Sequence, residues 1–371
     1  MDELDTLKTI AGNPGGYLRD LKEDGETLLG YVCTYTPEEI ILAAGVHPVR
    51  LFGTQDDISL ADAHLQSYCC SLVRGVLEDV LRGSLDVLDG AVFPHTCDSI
   101  QRLSDLWRMN TDFSFFADMV LPVTLNRESS RQYMTDVLKG FKDALETRLG
   151  REITDRDLRQ GIETCNGIRT LLATLYRIRS DNPRAISGRD LHAIVTASMI
   201  MRRQDLLALL PAVVEAARET GGATGTEDTK RLVLTGSVCN HPDLYDIIDD
   251  AGGIVVGDDL CTGSRYFEGI IDETGDPLEA LVRRYMERPT CPAKHLSLTA
   301  RADHIISVAR ENRADGVIFL LLKFCDPHAF DYPYIKEALA REHIPSTLVE
   351  IEAQLSEGQV RTRLETFIAM L

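Results

Sequence analysis

The sequence predicts an α/β protein of two lobes, each with a mostly parallel sheet, and a helical insert between them. Three observations carry this. A strand–helix–strand plan at residues 28–52 returns at residues 231–257. Two apolar runs, Asp89–Asp98 and Asp315–Asp326, each begin Asp-Gly and end Cys-Asp, as buried strands with a thiol at the carboxyl end would. Residues 129–219, between the two halves, have helical spacing. The expected division is an N-terminal α/β lobe at 1–128, a helical region and linker at 129–229, and a C-terminal α/β lobe at 230–371.

In order along the chain, Leu28 to Thr34 reads as a strand. Pro37-Glu38-Glu39 opens a helix, with Pro in its first turn and acids at its positive end. Ala43-Ala44-Gly45 closes that helix, and Pro48 to Phe52 is the second strand. Cys70 opens an amphipathic stretch before the first Cys-Asp run. Arg131 to Leu149 is a helix, Thr154 caps the next, and Asp190 to Leu209 continues the helical material. Gly221–Glu227, rich in Gly and Thr, is the expected linker. The repeat then gives a strand at Arg231–Gly236, a helix opened by Pro242-Asp243, and a strand at Gly253–Val256. The remainder alternates: strand near 315–322, helix 331–340, strand 345–350, helix 358–369. Both lobes are therefore expected to be Rossmann- or flavodoxin-like.

Composition excludes several classes. A net charge of −19, from 58 acidic and 39 basic side chains, argues against nucleic acid as a partner, because phosphate binding wants a basic stripe. No run of about 18 apolar residues is present, so no membrane span is expected. The acidic start, Met1-Asp2-Glu3-Leu4-Asp5, does not read as a signal peptide, and nine cysteines point to a reducing, cytoplasmic setting. There is no Walker loop, no G-x-G-x-x-G after a strand, and no Ser-His-Asp arrangement.

The thiols carry the chemistry. Cys70, Cys97 and Cys325 sit at strand or helix ends, where open α/β sheets collect ligands. Thiolates hold iron–sulfur clusters, whereas a buried free thiol is simply a small hydrophobe; both readings stand on pattern alone. Neither a CxxC pair nor Cys/His finger spacing supports zinc. Asp258–Phe267 packs two acids, Cys261 and Arg265 into one loop, and Cys291-Pro292-Ala293-Lys294-His295 offers Lys294 and His295 to a phosphate or carboxylate. Each is equally an ordinary polar connection.

Taken in order, these segments resemble the 2-hydroxyacyl-CoA dehydratase and benzoyl-CoA reductase family. The matching stretches are Tyr31–Ile40 with Ala43-Ala44-Gly45, Ser67–Arg74, Thr96-Cys97-Asp98, Asp258–Phe267, Pro289–His295, Lys323–Pro327 and Gly358–Ile368. The resemblance implies a [4Fe-4S] cluster on Cys70, Cys97 and Cys325, with Cys69 beside the first. Cys261 and Cys291 match further motifs as additional ligands. A double-cubane [8Fe-9S] cluster is the disfavoured alternative, since no cysteine lies midway between Cys70 and Cys97. It also implies an acyl-CoA substrate, a related second subunit in a heterodimer (or a homodimer), and an ATP-dependent iron–sulfur activator protein. The implied reaction removes water from an (R)-2-hydroxyacyl-CoA through a ketyl radical. A reductase subunit is the runner-up, and a non-catalytic electron-relay or scaffold subunit the third reading. Thr34, Glu38 and Glu39 are the candidates for moving protons, against a role in helix capping. Arg265, Lys294 and His295 are the candidates for substrate contact.

Overall fold

The structure, a computed structural model, describes residues 2–220, 228–289 and 291–371. The expected linker Gly221–Glu227 and Thr290 of the Pro289–His295 motif lie outside the described residues.

Two N-terminal helices, α1 (Glu3–Gly12) and α2 (Pro14–Glu23), precede the first sheet. That sheet holds β1 (Leu28–Tyr31), β2 (His47–Arg50), β3 (Gly90–Pro94) and β4 (Phe115–Met119), connected through α3 (Glu38–Ala43), α4 (Ser71–Leu81) and α5 (Asp98–Asn110). Four helices follow: α6 (Glu128–Leu149), α7 (Asp155–Asp181), α8 (Gly188–Ser198) and α9 (Arg203–Glu219). The second sheet holds β5 (Lys230–Gly236), β6 (Gly253–Asp259), β7 (Gly316–Leu322) and β8 (Ser346–Ile351). Its helices are α10 (Asp243–Asp250), α11 (Ser264–Phe267), α12 (Pro277–Glu287), α13 (Ala300–Glu311), α14 (Asp326–Arg341) and α15 (Glu357–Ala369).

Both sheets are parallel throughout, with spatial orders β2-β1-β3-β4 and β6-β5-β7-β8. The second is the first repeated, strand for strand, as the loose sequence repeat predicts. In each sheet the chain order reverses beside the first strand, which opens a crevice outside the carboxyl ends of β1 and β3, and of β5 and β7.

Several boundaries differ from the sequence reading, β2 ending at Arg50 and β6 running on to Asp259 among them, and three have a clear local reason. β1 stops at Tyr31 because Thr36 N–H bonds back to the Cys33 carbonyl at 3.0 Å, turning the chain off the sheet. The helical stretch at 190–209 breaks at Met199–Arg202. There the Met199 and Ile200 carbonyls leave the helix to accept from Arg50 N–H (3.0 Å) and His47 Nε2 (2.7 Å) on β2. α14 begins at Asp326, since Pro327 in the first turn is pre-set for helix. The Thr154 cap is present, with Asp157 completing a reciprocal capping box.

The lobes share one hydrophobic core. It runs from Leu7 and Val73 through Leu172 and Val213 to Leu232 and Phe367, so α7, α8 and α9 join the two sheets. α7 passes so close to α3 that a Cβ on Gly161 would lie 2.6 Å from the Glu39 carbonyl oxygen. The chain also crosses back. α12 packs on α6, Tyr285 Oη donates to the Thr36 carbonyl at 2.9 Å, and His295 forms a parallel bridge with Thr124. Residues after β6 thereby reach the carboxyl edge of the first sheet.

Candidate functional site

The three cysteines singled out from the sequence occupy one kind of position. Cys70, Cys97 and Cys325 are the residues immediately before α4, α5 and α14. Cys97 follows β3 and Cys325 follows β7, the equivalent strands beside the two crevices. Helix-start N–H groups point at each thiol: Ser99 and Ile100 at Cys97, Leu72 and Val73 at Cys70, His328 at Cys325. These donors favour the thiolate. Burial outweighs them, and pushes Cys70 up to about 11 and Cys97 up to about 12. Cys325 is also raised by burial, and then by the charges of Cys70 and Cys97. Thiols from both lobes therefore face one another closely enough to oppose each other's ionisation. Phe324, just before Cys325, holds a left-handed φ of 65°, a strained conformation for a bulky residue that sets the turn into α14.

A second set of thiols adjoins the first. Cys261 acts on Cys325 and on Cys291, and Cys33 acts on Cys97. Thr96 Oγ1 lies 3.8 Å from Cys33 Sγ as its donor. In the sequence Cys33 reads only as part of a strand-end motif. Its neighbours Thr34 and Thr36 repeat nothing diagnostic, and it enters the site through the turn that ends β1.

Arg265 sits in α11 with 1% of its surface exposed. Its Nε lies 3.0 Å from Asp259 Oδ1, and Nη2 donates to the Gly236 and Asp259 carbonyls. Asp259 ends β6, accepts from Thr235 at 2.9 Å, and pairs with Arg301 at 2.8 Å. Burial alone would raise Asp259; Arg265 and Arg301 overcome it and hold the carboxyl well below its ordinary range. This buried node ties α11 and α13 to the end of the second sheet. Lys294 is buried and donates to the Leu121 carbonyl at 3.3 Å, whereas His295 is exposed and engages the first lobe through its backbone. Arg288, which no motif marked, brings its guanidinium to the Thr34 carbonyl at 3.0 Å and to Thr34 Oγ1 at 3.3 Å.

The three proton-handling candidates diverge in environment. Thr34 lies in the turn after β1 beside Cys33, held by Arg288. Glu38 accepts from Tyr31 Oη, from Arg203 Nη2 at 2.9 Å and from Tyr266 Oη at 3.2 Å. Glu39 is fully buried against Arg169; burial would raise it, but Arg169 and Arg284 bring it below the ordinary carboxylate value. Both glutamates thus clamp α3 to the central helices.

The donor set suits iron and sulfur: soft thiols, spread around a space instead of converging on one point. Among the described residues no three His, Cys, Asp or Glu side chains gather tightly enough to hold a single metal ion. Several buried polar atoms near the strand ends have no partner among the described residues. They include Thr36 Oγ1, Arg50 Nε and Nη1, Ser237 Oγ, Arg265 Nη1, Arg288 Nε and His328 Nδ1.

The family described as 2-hydroxyglutaryl-CoA dehydratase, D-component, matches residues 33–371. The chain belongs to this family. Over 363 residues this D-component chain is 26% identical to the (R)-phenyllactyl-CoA dehydratase beta subunit of Clostridium sporogenes, covering 97% of this chain and 96% of that protein. It is 28% identical over 372 residues to the lactoyl-CoA dehydratase subunit beta of Anaerotignum propionicum, covering 99% and 98%. Similarity extends to a benzoyl-CoA reductase subunit of Thauera aromatica, 28% identical over 324 residues, covering 86% and 83%. The chain is accordingly an enzyme subunit of lyase type, within a class that spans dehydratases and reductases. Among its described residues no helix is long and apolar enough to cross a membrane.

Proposed function

We propose that this chain is the iron–sulfur subunit of a 2-hydroxyacyl-CoA dehydratase that removes water from an (R)-2-hydroxyacyl-CoA. The observation that carries this reading is that Cys70, Cys97 and Cys325, each at a helix start and drawn from both lobes, lie near enough for charge on one to oppose ionisation of another. These three would hold a [4Fe-4S] cluster. Bound there, such a cluster supplies one-electron chemistry and, at an iron without a protein ligand, Lewis acidity. The chain's own part is to lower the cost of ionising one buried thiol, Cys70, and two half-buried ones, Cys97 and Cys325. Helix-start N–H groups do this, and the shared core encloses Cys70 and packs against Cys97 and Cys325. Ordinary acid–base chemistry does not readily remove the unactivated 3-proton of a 2-hydroxyacyl thioester. A ketyl radical made at the thioester carbonyl lets the 2-hydroxyl leave and acidifies that proton. Thr34, oriented by Arg288 beside Cys33, is the hydroxyl best situated to pass a proton; Glu38 and Glu39 keep its turn in place. The names of the relatives support a companion subunit, and an ATP-dependent activator would deliver the electron.

Anaerobic purification with iron and sulfide analysis tests this. About four irons per chain is the expected result. An iron-free chain under those conditions would remove the reading.

A second reading has its own observation. Cys33, Cys261 and Cys291 adjoin the first three thiols, and together they could serve the larger [8Fe-9S] cluster of a reductase. About eight irons per chain would select it. Turnover of aromatic against 2-hydroxyacyl thioesters, with activator and ATP, separates the reactions.

A further inference from the structure

Charge is unevenly paired around the thiols. The buried carboxylates Glu38, Glu39 and Asp259 each meet an arginine. Five buried cations, Arg50, Arg179, Arg284, Arg288 and Lys294, meet no carboxylate in an ion pair among the described residues, and two of them, Arg288 and Lys294, stand next to Cys33 and Cys291. Lys294 is 2% exposed, and its ammonium donates only to the Leu121 carbonyl, at 3.3 Å. Arg288 is 3% exposed and donates to Thr34 O, Thr34 Oγ1 and the Arg265 carbonyl, while its Nε has no partner. Every one of these acceptors is neutral.

The two cations lie against the same ring. Arg288 Cζ is 4.9 Å and Lys294 Nζ 5.5 Å from the centroid of Tyr35. Tyr35 belongs to the turn that begins with Cys33, and Cys291 opens the short turn that ends at Lys294. Cys33 in turn accepts from Thr96, the residue before Cys97. The cation pair therefore stands behind Cys33 and Cys291 and next to the Cys97 end of the thiol group. Burying a cation without an ion-pair partner is costly; Glu268 acts on Arg288 from a distance, no carboxylate pairs with Lys294 among the described residues, and a negative group beside the two would offset that cost.

We propose that Lys294 and Arg288 are the fixed counter-charges of the anionic iron–sulfur group held by the neighbouring thiols, and that they set its reduction potential. This rests on the cluster reading above. A cluster on thiolate ligands carries net negative charge, which grows by one electron on reduction. Fixed positive charge nearby favours the reduced form and raises the potential. Lys294 thereby faces inward, toward the cluster, and not toward the acyl group.

The test uses the full chain, reconstituted anaerobically, as parent, Lys294→Met and the charge-keeping Lys294→Arg. Iron and sulfide content establishes loading, and a potentiometric titration read by electron paramagnetic resonance gives the potential. Lys294→Met should keep its iron yet hold at least about tenfold less reduced cluster at a fixed poise, which is about 59 mV for one electron. Lys294→Arg should stay near the parent. In the metal-free chain the sign reverses: removing an unbalanced buried charge should raise the urea midpoint of Lys294→Met. A fully loaded Lys294→Met with the parent's potential overturns the inference. So does a fall in the metal-free midpoint accompanied by iron loss, which would make Lys294 a packing contact. An iron-free parent would instead defeat the cluster reading, and this inference with it.

Discussion

Replacing Asp259 by Asn should test the node that fixes the second lobe's edge. The amide keeps the side chain's shape and can still accept from Thr235, but the charge is gone. Arg265 and Arg301, at 3.0 and 2.8 Å, would then lose their shared carboxylate while remaining buried. Removing one partner of a buried ion pair costs about 3–5 kcal/mol. Arg301 retains Asp331 at 3.0 Å, and Arg265 retains two backbone carbonyls, which brings the expectation to the lower end, about 3 kcal/mol. Against a total stability of about 5–15 kcal/mol this is a large fraction. Urea unfolding of the metal-free chain followed by circular dichroism would measure it. The pH dependence has a fixed sign. Asp259 titrates well below its unfolded value in the folded chain, so its contribution is complete above that unfolded value, near pH 4, and is lost as pH falls through the folded one. Asp259 also holds His304, 3.6 Å away, above its ordinary pKa, so the gap between parent and variant should narrow as pH rises past neutrality and should close in acid. A cost under about 1 kcal/mol, or a gap that stays open in acid, would refute the argument, because the carboxylate would then not be balancing the two arginines.

Other outcomes follow from single features. Cys97→Ala should abolish cluster binding while leaving the fold intact; unchanged iron and sulfide content would remove Cys97 from the ligand set. Gly161→Ala should cost about 1–3 kcal/mol by pushing α7 off α3, since the new methyl would meet the Glu39 carbonyl oxygen at 2.6 Å; a urea midpoint equal to the parent's would show that the helices separate freely. Asp79, in α4, is pushed up to about 7 by burial, with Asp56 and Glu78 adding to the effect and Arg82 opposing it. The folded chain then binds a proton that the unfolded chain has released, so stability falls as pH rises from about 4 through about 7. Asp79→Asn should flatten that decline, and an unaltered pH profile of the urea midpoint would exclude Asp79 as its source.

Much of the fold was legible because parallel strands buried on both faces leave continuous apolar runs. Val92-Phe93 and Val317–Leu322 are such runs, bounded by Asp-Gly at one end and Cys-Asp at the other. The repeat at 28–52 and 231–257 was legible for the same reason, and it returned as two sheets of one strand order. The break at Met199–Arg202 was not, since its cause lies in β2, about 150 residues away in sequence, whose His47 and Arg50 claim the Ile200 and Met199 carbonyls. The roles of the ionisable candidates were equally hidden. Glu38 and Glu39 read as first-turn acids on α3, and only the packing of α7 and α9 supplied Arg169 and Arg203.

By itself the sequence determined the parallel α/β class, the places of Cys97 and Cys325 after equivalent strands, and the family, because each is written in contiguous residues with a local physical signature. Only the tertiary structure decided which charges meet. It brought Arg288 and Lys294 from beyond β6 back to Tyr35 at the first sheet's edge, put Cys33 beside Cys97, and gave Asp259 two arginines. Electrostatic partners are chosen by distance through the folded interior, where low polarisability makes pairing matter most, and that distance has no counterpart along the chain.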